Sequence, residues 1–287
     1  MEEIGLVYDR IRWEEKALIE ASRKRGLNLR LVDSKDTYIN TLEDSGKVGE
    51  KFGQVVIQRC VSYFRGLHLT AALENSGLHV INSFNVSLIC GNKLFTTLAL
   101  IKAGVPSPKT FVAFTEEGAF KALENLGYPV VMKPVVGSWG RLVALIKDKD
   151  SAQALIESRE EMRNALLQIY YFQEYVERPP RDIRVMVIGK EAVAASYRYS
   201  AQEDWRTNVA RGGISKPCPI THELEETALK AAKAVGGGIL AVDCMENRDK
   251  ILVHEVNSTV EFKGLFSATR VDIAKKIVEY AVEVAKS

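Results

Sequence analysis

The strongest constraint on the fold is an alternation that starts within the first ten residues and is sustained through the chain. Short apolar runs are followed by amphipathic stretches: IGLVYD reads as a strand, and RWEEKALIEASRKRG as a helix with Trp13, Ala17 and Leu18 at helical spacing and Gly26 as its stop. LRLVD, GQVVIQR and LHVIN supply three more strands, with a helix in YFRGLHLTAALENSG. Strands separated by helices predict a mainly parallel sheet with helical cover, here a small α/β domain over residues 1–84. At 287 residues the chain exceeds one ordinary core, so further subdomains are expected, at 85–177 and 178–287.

The remainder predicts a long helix from Val86 to Ala103, closed by Gly104 and Pro106, then strands in SPKTFVAF, YPVVMKPVV and RLVALIKD. A strand in LQIYYFQEYV follows a helix in SAQALIESREEMRNA. DIRVMVIG, EAVAASYRYS, GILAVDCMEN and KILVHEVN complete the strand set, with helices at His222–Ala234 and Val271–Ala285.

Composition narrows the function. The formal net charge of +2, from 39 basic and 37 acidic residues, gives no case for nucleic acid or a membrane as partner. Cys60, Cys90, Cys218 and Cys244 contain no C-x-x-C pair, which fits reduced thiols in a cytoplasmic protein. The acidic start MEEIGLVYDR is no signal peptide, and no apolar segment reaches membrane-spanning length.

Several clusters of residues carry chemistry. In AVDCMENRDKILVHEVN, Glu255 and Asn257 are two apart on one strand and share a face, while Asp243 lies on the preceding strand. An odd connection would set Asp243 opposite Glu255, an even one on the other face. Two carboxylates and an amide oxygen suit Mg²⁺, although an ordinary hairpin alternates in the same way. In KPVVGSWGRLV, Lys133 ends an apolar strand before a loop containing Gly137, Ser138, Trp139 and Gly140. This is not a Walker A motif, since G-K-[ST] is missing; its logic is a glycine flap over phosphates beside a strand lysine. FQEYV followed by DIRV offers a nucleotide-reading strand end and Arg184, an anion partner. DWRTNVARGG sets Arg206, Asn208 and Arg211 before a Gly-Gly pair. Lys93 lies near the start of a helix, where a phosphate is favoured.

Taken in order, these parts resemble the ATP-grasp ligases of the RimK-like branch, over nearly the whole chain. At KPVVGSWGRLV, DWRTNVARGG and EVNSTVEFKG the resemblance narrows to the LysX and ArgX ligases of lysine and arginine biosynthesis. The resemblance implies an ATP-grasp fold, two subdomains gripping ATP, behind a small parallel-sheet domain. It also implies an ADP-forming ligase that joins an amino acid to the C-terminal glutamate of a small acidic carrier protein, LysW. By the same resemblance Lys93 and Lys133 hold the ATP phosphates, and residues 137–140 close over them. Glu174, Tyr175 and Val176 line the adenine pocket, and Glu177 or Asp182 meets the ribose. Asp243, Glu255 and Asn257 bind Mg²⁺. Arg184 and Asn208 face the acyl phosphate, and Arg206, Ser258 and Thr259 shape the amino-acid end. An acidic carrier implies a local basic surface, with Arg206, Arg211, Lys216 and Lys263 as its members. The family suggests a dimer or tetramer.

Three readings follow. The first is α-aminoadipate ligation to the carrier, favoured because NSTVEF looks closer to the lysine-pathway version. The others are the same chemistry with glutamate or another acid, and a nucleotide-binding protein without catalysis. The complete D…E-x-N set argues against the last.

Overall fold

The computed structural model describes residues 3–200, 214–248 and 250–286. Arg206, Asn208 and Arg211 lie outside the described residues. The N-terminal sheet holds β1 (Ile4–Tyr8), β2 (Arg30–Asp33), β3 (Val55–Gln58) and β4 (His79–Ile81) in the order β2-β1-β3-β4, all pairs parallel. Helices α1 (Trp13–Lys24), α2 (Ser45–Phe52) and α3 (Tyr63–Asn75) make the crossovers. Within α2 the apolar residues Val48 and Phe52 stand four apart and are buried under the sheet with Val7 and Val56. Short and Gly-containing, this helix was not expected from the sequence.

The long helix expected from Val86 to Ala103 is two helices, α4 (Phe84–Gly91) and α5 (Lys93–Lys102), bent by 105° at Asn92. Asn92 is extended, and its side chain accepts from the Leu94 and Phe95 amides, so it caps a new helix. Apolar periodicity runs through the break because both helices bury a face in one core: Val86 and Leu100 pack with Val185, Leu224 and Leu240. These helices therefore belong by packing to the C-terminal sheet. Among the described residues no single helix is long and apolar enough to cross a membrane.

The middle unit is a four-stranded sheet, β5 (Thr110–Ala113), β6 (Val130–Lys133), β7 (Ala144–Ile146) and β8 (Tyr170–Glu174), ordered β5-β8-β6-β7 with antiparallel pairs. Helices α6 (Glu116–Leu126) and α7 (Lys149–Glu161) cover one face. The last unit is a five-stranded sheet of β9 (Arg181–Ile188), β10 (Glu191–Tyr199), β11 (Ile214–Pro217), β12 (Ile239–Asn247) and β13 (Lys250–Asn257), ordered β11-β10-β9-β12-β13. Helix α8 (His222–Ala234) packs on one face; α9 (Lys263–Thr269) and α10 (Ile273–Lys286) follow.

The alternation in β9 explains where the site forms. Ile183, Val185 and Val187 point to the α8 side. On the other face, Met186 and Ile188 join Leu6, Leu18 and Ile277 in a core shared with the N-terminal domain, whereas Asp182 and Arg184 carry that face out into a cavity. One sheet face is thus core at one end and active site at the other.

Candidate active site

A cavity of about 310 Å³ lies where the three units meet. It is lined by Lys93, Lys133, the flap Gly137–Gly140, Glu174, Tyr175, Val176, Asp182, Arg184, Glu255, Asn257, Ser258 and Thr259. All of these were expected at one site. Glu177 is exposed and does not line it, and neither does Asp243.

Lys133 ends β6 and is 8% exposed, its Nζ donating to Gln173 Oε1 at 2.6 Å. Burial pushes its pKa down to about 8; Lys93 and Arg178 act in the same direction, against Glu255 and Asp243. Lys93, the first residue of α5, reaches Glu255 Oε1 at 3.2 Å and the carbonyl of Gly137 at 2.7 Å. It thereby ties the flap to the far sheet. The flap needs left-handed backbone at several points, Gly140 at φ 66° and also Trp139 at φ 58° and Leu142 at φ 56°. The Arg141 guanidinium lies 5.1 Å from the Trp139 ring centre.

The floor is an ion network across four strands. Asp243 pairs in register with Arg184 on β9 and Glu255 on β13. Arg184 grips Asp243 with two bonds, at 2.8 and 2.7 Å, and Arg198 adds a third contact at 3.1 Å. Arg198 in turn holds Asp182 with two bonds of 2.7 Å. The guanidiniums of Arg184 and Arg198 hold the Asp243 carboxyl well below its ordinary range, outweighing burial. Two cations, Arg198 buried and Arg184 half-buried, therefore balance the two buried anions.

The turn after β12 connects Asn247 to Lys250, a register that on its own would set Asp243 opposite His254. A β-bulge intervenes: Cys244 pairs with Val253, but Asp243 pairs with Glu255. Val253 and Val256, three apart, both enter the α8 core, while His254, Glu255 and Asn257 all line the cavity. The expected opposition of Asp243 and Glu255 is thus reached through an even turn and a bulge.

The set expected to bind Mg²⁺ divides. Glu255 and Asn257 open on the cavity; Asp243 stands behind them with its oxygens engaged, the Asn257 amide nitrogen lying 3.3 Å from one of them. That contact leaves the amide oxygen of Asn257 for a cation, and oxygen donors of this kind fit Mg²⁺. Among the described residues no three His, Cys, Asp or Glu side chains converge on one point. Of the two expected ribose contacts, Asp182 lines the cavity with each oxygen accepting from Arg198, and Glu177 lies outside it. One oxygen of the Glu174 carboxylate accepts from the Lys109 amide at 2.8 Å.

Sequence reasoning missed several lining groups. Arg12, at the start of α1, reaches Glu261 at 2.8 Å and Glu15 at 3.0 Å. Glu15 is also bound by buried Arg59. Gln173, Arg178, Arg198 and His254 complete the set. The signal for Arg198 was its place in an otherwise apolar and aromatic strand; Arg12 gave none, because it enters from another domain. Burial, with Lys133, Arg198 and Arg178 nearby, outweighs Asp243 and keeps the His254 imidazole neutral, far below its ordinary pKa.

Three units gripping a cavity with paired lysines and a glycine flap define an ATP-grasp architecture. The chain matches the RimK-like ATP-grasp domain over residues 90–281 and the LysX preATP-grasp domain over residues 4–89. It belongs to the RimK-like ATP-grasp family of ATP-dependent ligases. It is 40% identical over 276 residues to the alpha-aminoadipate–LysW ligase LysX of Saccharolobus solfataricus, covering 96% of this chain and 99% of that one. It is 37% identical over 280 residues to the glutamate–LysW ligase ArgX of Sulfolobus acidocaldarius, covering 96% and 97%. The RimK domain ATP-grasp protein from Sphaerobacter thermophilus superimposes with a TM-score of 0.79 at 27% identity, covering 97% of this chain and 98% of that one.

Proposed function

We propose that this ligase joins the α-amino group of α-aminoadipate to the C-terminal glutamate of a LysW-like carrier protein. The observation that carries the reading is the convergence of Lys93, Lys133, the flap, Arg184, Glu255 and Asn257 on one cavity, in a chain whose relatives act on LysW. Lys93 and Lys133 hold the ATP phosphates, residues 137–140 cover them, and Glu174, Tyr175 and Val176 frame the adenine. The carrier's terminal carboxylate attacks the γ-phosphorus, giving ADP and an acyl phosphate. The amine then attacks the acyl carbon, phosphate leaves, and the nitrogen loses a proton. Arg184 offsets charge on the acyl phosphate, and the same role is assigned to Asn208. Glu255 and Asn257 would hold Mg²⁺, joined by Asp243 where Arg184 yields it, and the ion would neutralise phosphate charge. Water exclusion under the flap protects the acyl phosphate from hydrolysis.

The amino-acid end is assigned to Ser258, Thr259 and Arg206. Residues 258–262 form a fixed wall: the Ser258 carbonyl accepts from Asn82 at 2.7 Å, and Phe262 is buried against Trp13 with ring centres 5.7 Å apart. A rigid wall is what discrimination of one methylene requires, a difference worth about 1–3 kcal/mol. The NSTVEF form of that wall supports α-aminoadipate over glutamate. Lys216 and Lys263 are exposed on β11 and α9, which pack together, and suit docking of an acidic carrier.

The deciding experiment measures ADP release with ATP and Mg²⁺, comparing α-aminoadipate with glutamate, each with and without carrier. Carrier-dependent turnover with a higher kcat/KM for α-aminoadipate is expected. Preference for glutamate would transfer the enzyme to arginine-type chemistry, and turnover without carrier would make it a small-molecule ligase.

ATP binding is expected to take up close to one proton at about pH 9 and little at pH 7. Lys133, at about 8 in the free protein, becomes charged against the phosphates. Affinity should accordingly fall as pH rises through that range. Calorimetry in buffers of different ionisation enthalpy measures the uptake directly; equal heats in all buffers would remove Lys133 from the phosphate site.

A further inference from the structure

On β13, Ile251 and Val253 enter the α8 core and His254 faces the cavity, and the bulge that follows brings Glu255 to the cavity as well. Both of its ring nitrogens are buried without a hydrogen-bond partner among the described residues. A buried imidazole left unsatisfied on both sides is destabilising, and its place on the cavity wall implies a ligand that satisfies it.

The surroundings select the ligand group. Nε2 lies 3.9 Å from Asp182 Oδ2. That carboxylate draws the ring proton to Nε2 and leaves Nδ1 as an acceptor. An acceptor needs a donor, which phosphate oxygens do not offer at neutral pH. The adenine amine is a donor, but it belongs with the backbone of Glu174 and Val176 at the other strand end. The ribose hydroxyls remain. Of the residues expected to meet them, Glu177 is outside the cavity, and each oxygen of Asp182 already accepts from Arg198.

We propose that His254 is a nucleotide-positioning residue whose Nδ1 accepts a hydrogen bond from a ribose hydroxyl of ATP. The proposal rests on the reading of this cavity as the ATP site. Asp182 then acts through the ring, fixing its tautomer, while Arg198 keeps Asp182 in place. The bulge sets Glu255 opposite Asp243 and leaves the histidine beside it on the cavity wall.

The test uses nucleotide binding alone, so it does not depend on which acid or carrier the enzyme accepts. Affinities for ATP, 2′-deoxyATP and 3′-deoxyATP are measured by calorimetry with Mg²⁺, for the wild type, His254→Leu and His254→Asn. The wild type is expected to bind one of the deoxy nucleotides about tenfold more weakly than ATP. His254→Leu should bind all three alike, near the weaker level, and His254→Asn, which keeps an acceptor near Nδ1, should recover part of the discrimination. A wild type that binds all three equally would overturn the assignment, as would a leucine variant that keeps the wild-type ratio while weakening every nucleotide. Absence of any nucleotide binding by the wild type would remove the ATP-site reading and the proposal with it.

Discussion

Replacing Lys133 with methionine is expected to raise the melting temperature of the nucleotide-free protein by about 2–4 °C while lowering turnover by roughly 10²–10³-fold. The two effects have one origin. The side chain is buried at the end of β6, and its pKa is pushed down to about 8 by that burial. Holding such a group charged at neutral pH costs the fold about 3 kcal/mol. Methionine removes the charge and keeps most of the volume. It also removes the donor to Gln173, which offsets roughly 1–2 kcal/mol of the gain. The net is about 1 kcal/mol in favour of the variant. A lysine whose folded pKa lies below its unfolded value imposes its full penalty below about pH 8, and the penalty fades as pH rises towards 10.5. The gap between variant and wild type should therefore narrow across that interval. Thermal melts from pH 7 to 10 measure it. A variant no more stable than the wild type at pH 7 would mean that Gln173 alone compensates the charge. Saturating ATP should reverse the order of stabilities, because only the wild type gains a paired phosphate.

The sequence made the layers legible because their signals are local. Strand and helix alternation predicted the parallel N-terminal sheet, and α8 spans His222–Ala234 as expected. Lys93, Lys133 and Glu255 could be picked out because each is a charged residue set in an apolar pattern. What stayed hidden depends on pairing between distant segments. The break at Asn92 is masked by apolar residues that continue on both sides of it. The bulge at His254 cannot be read from KILVHEVN, since only the register with β12 reveals it. The pairing of Asp243 stayed hidden because nothing near it in sequence announces Arg184 and Arg198, which reach it from two other strands. Arg12 belongs to the same class, a cavity residue delivered by a different domain.

Substituting Arg184 with methionine is expected to destabilise the protein by about 3 kcal/mol, and adding Asp243→Asn to restore most of that loss without restoring activity. The single change strips two hydrogen bonds from a carboxylate that is 1% exposed, leaving the Arg198 contact at 3.1 Å and the Asn257 amide at 3.3 Å. A buried anion so weakly compensated carries the desolvation penalty nearly in full. In the double variant the charge disappears along with its partner, and the Arg198–Asp182 pair remains neutral in sum. Denaturant melts of the four proteins in the cycle yield the coupling energy, expected at about 2–3 kcal/mol and far from additive. A double variant as unstable as the single would show that the packing of the arginine stem, and not charge balance, holds β9 to β12. Turnover is predicted to stay at least about 10²-fold down in both, because Arg184 opens on the cavity whereas its partner does not. Stability and catalysis are therefore expected to separate within one ion pair: Asp243 fixes the guanidinium, and the proposed reaction would use the face of the guanidinium that opens on the cavity.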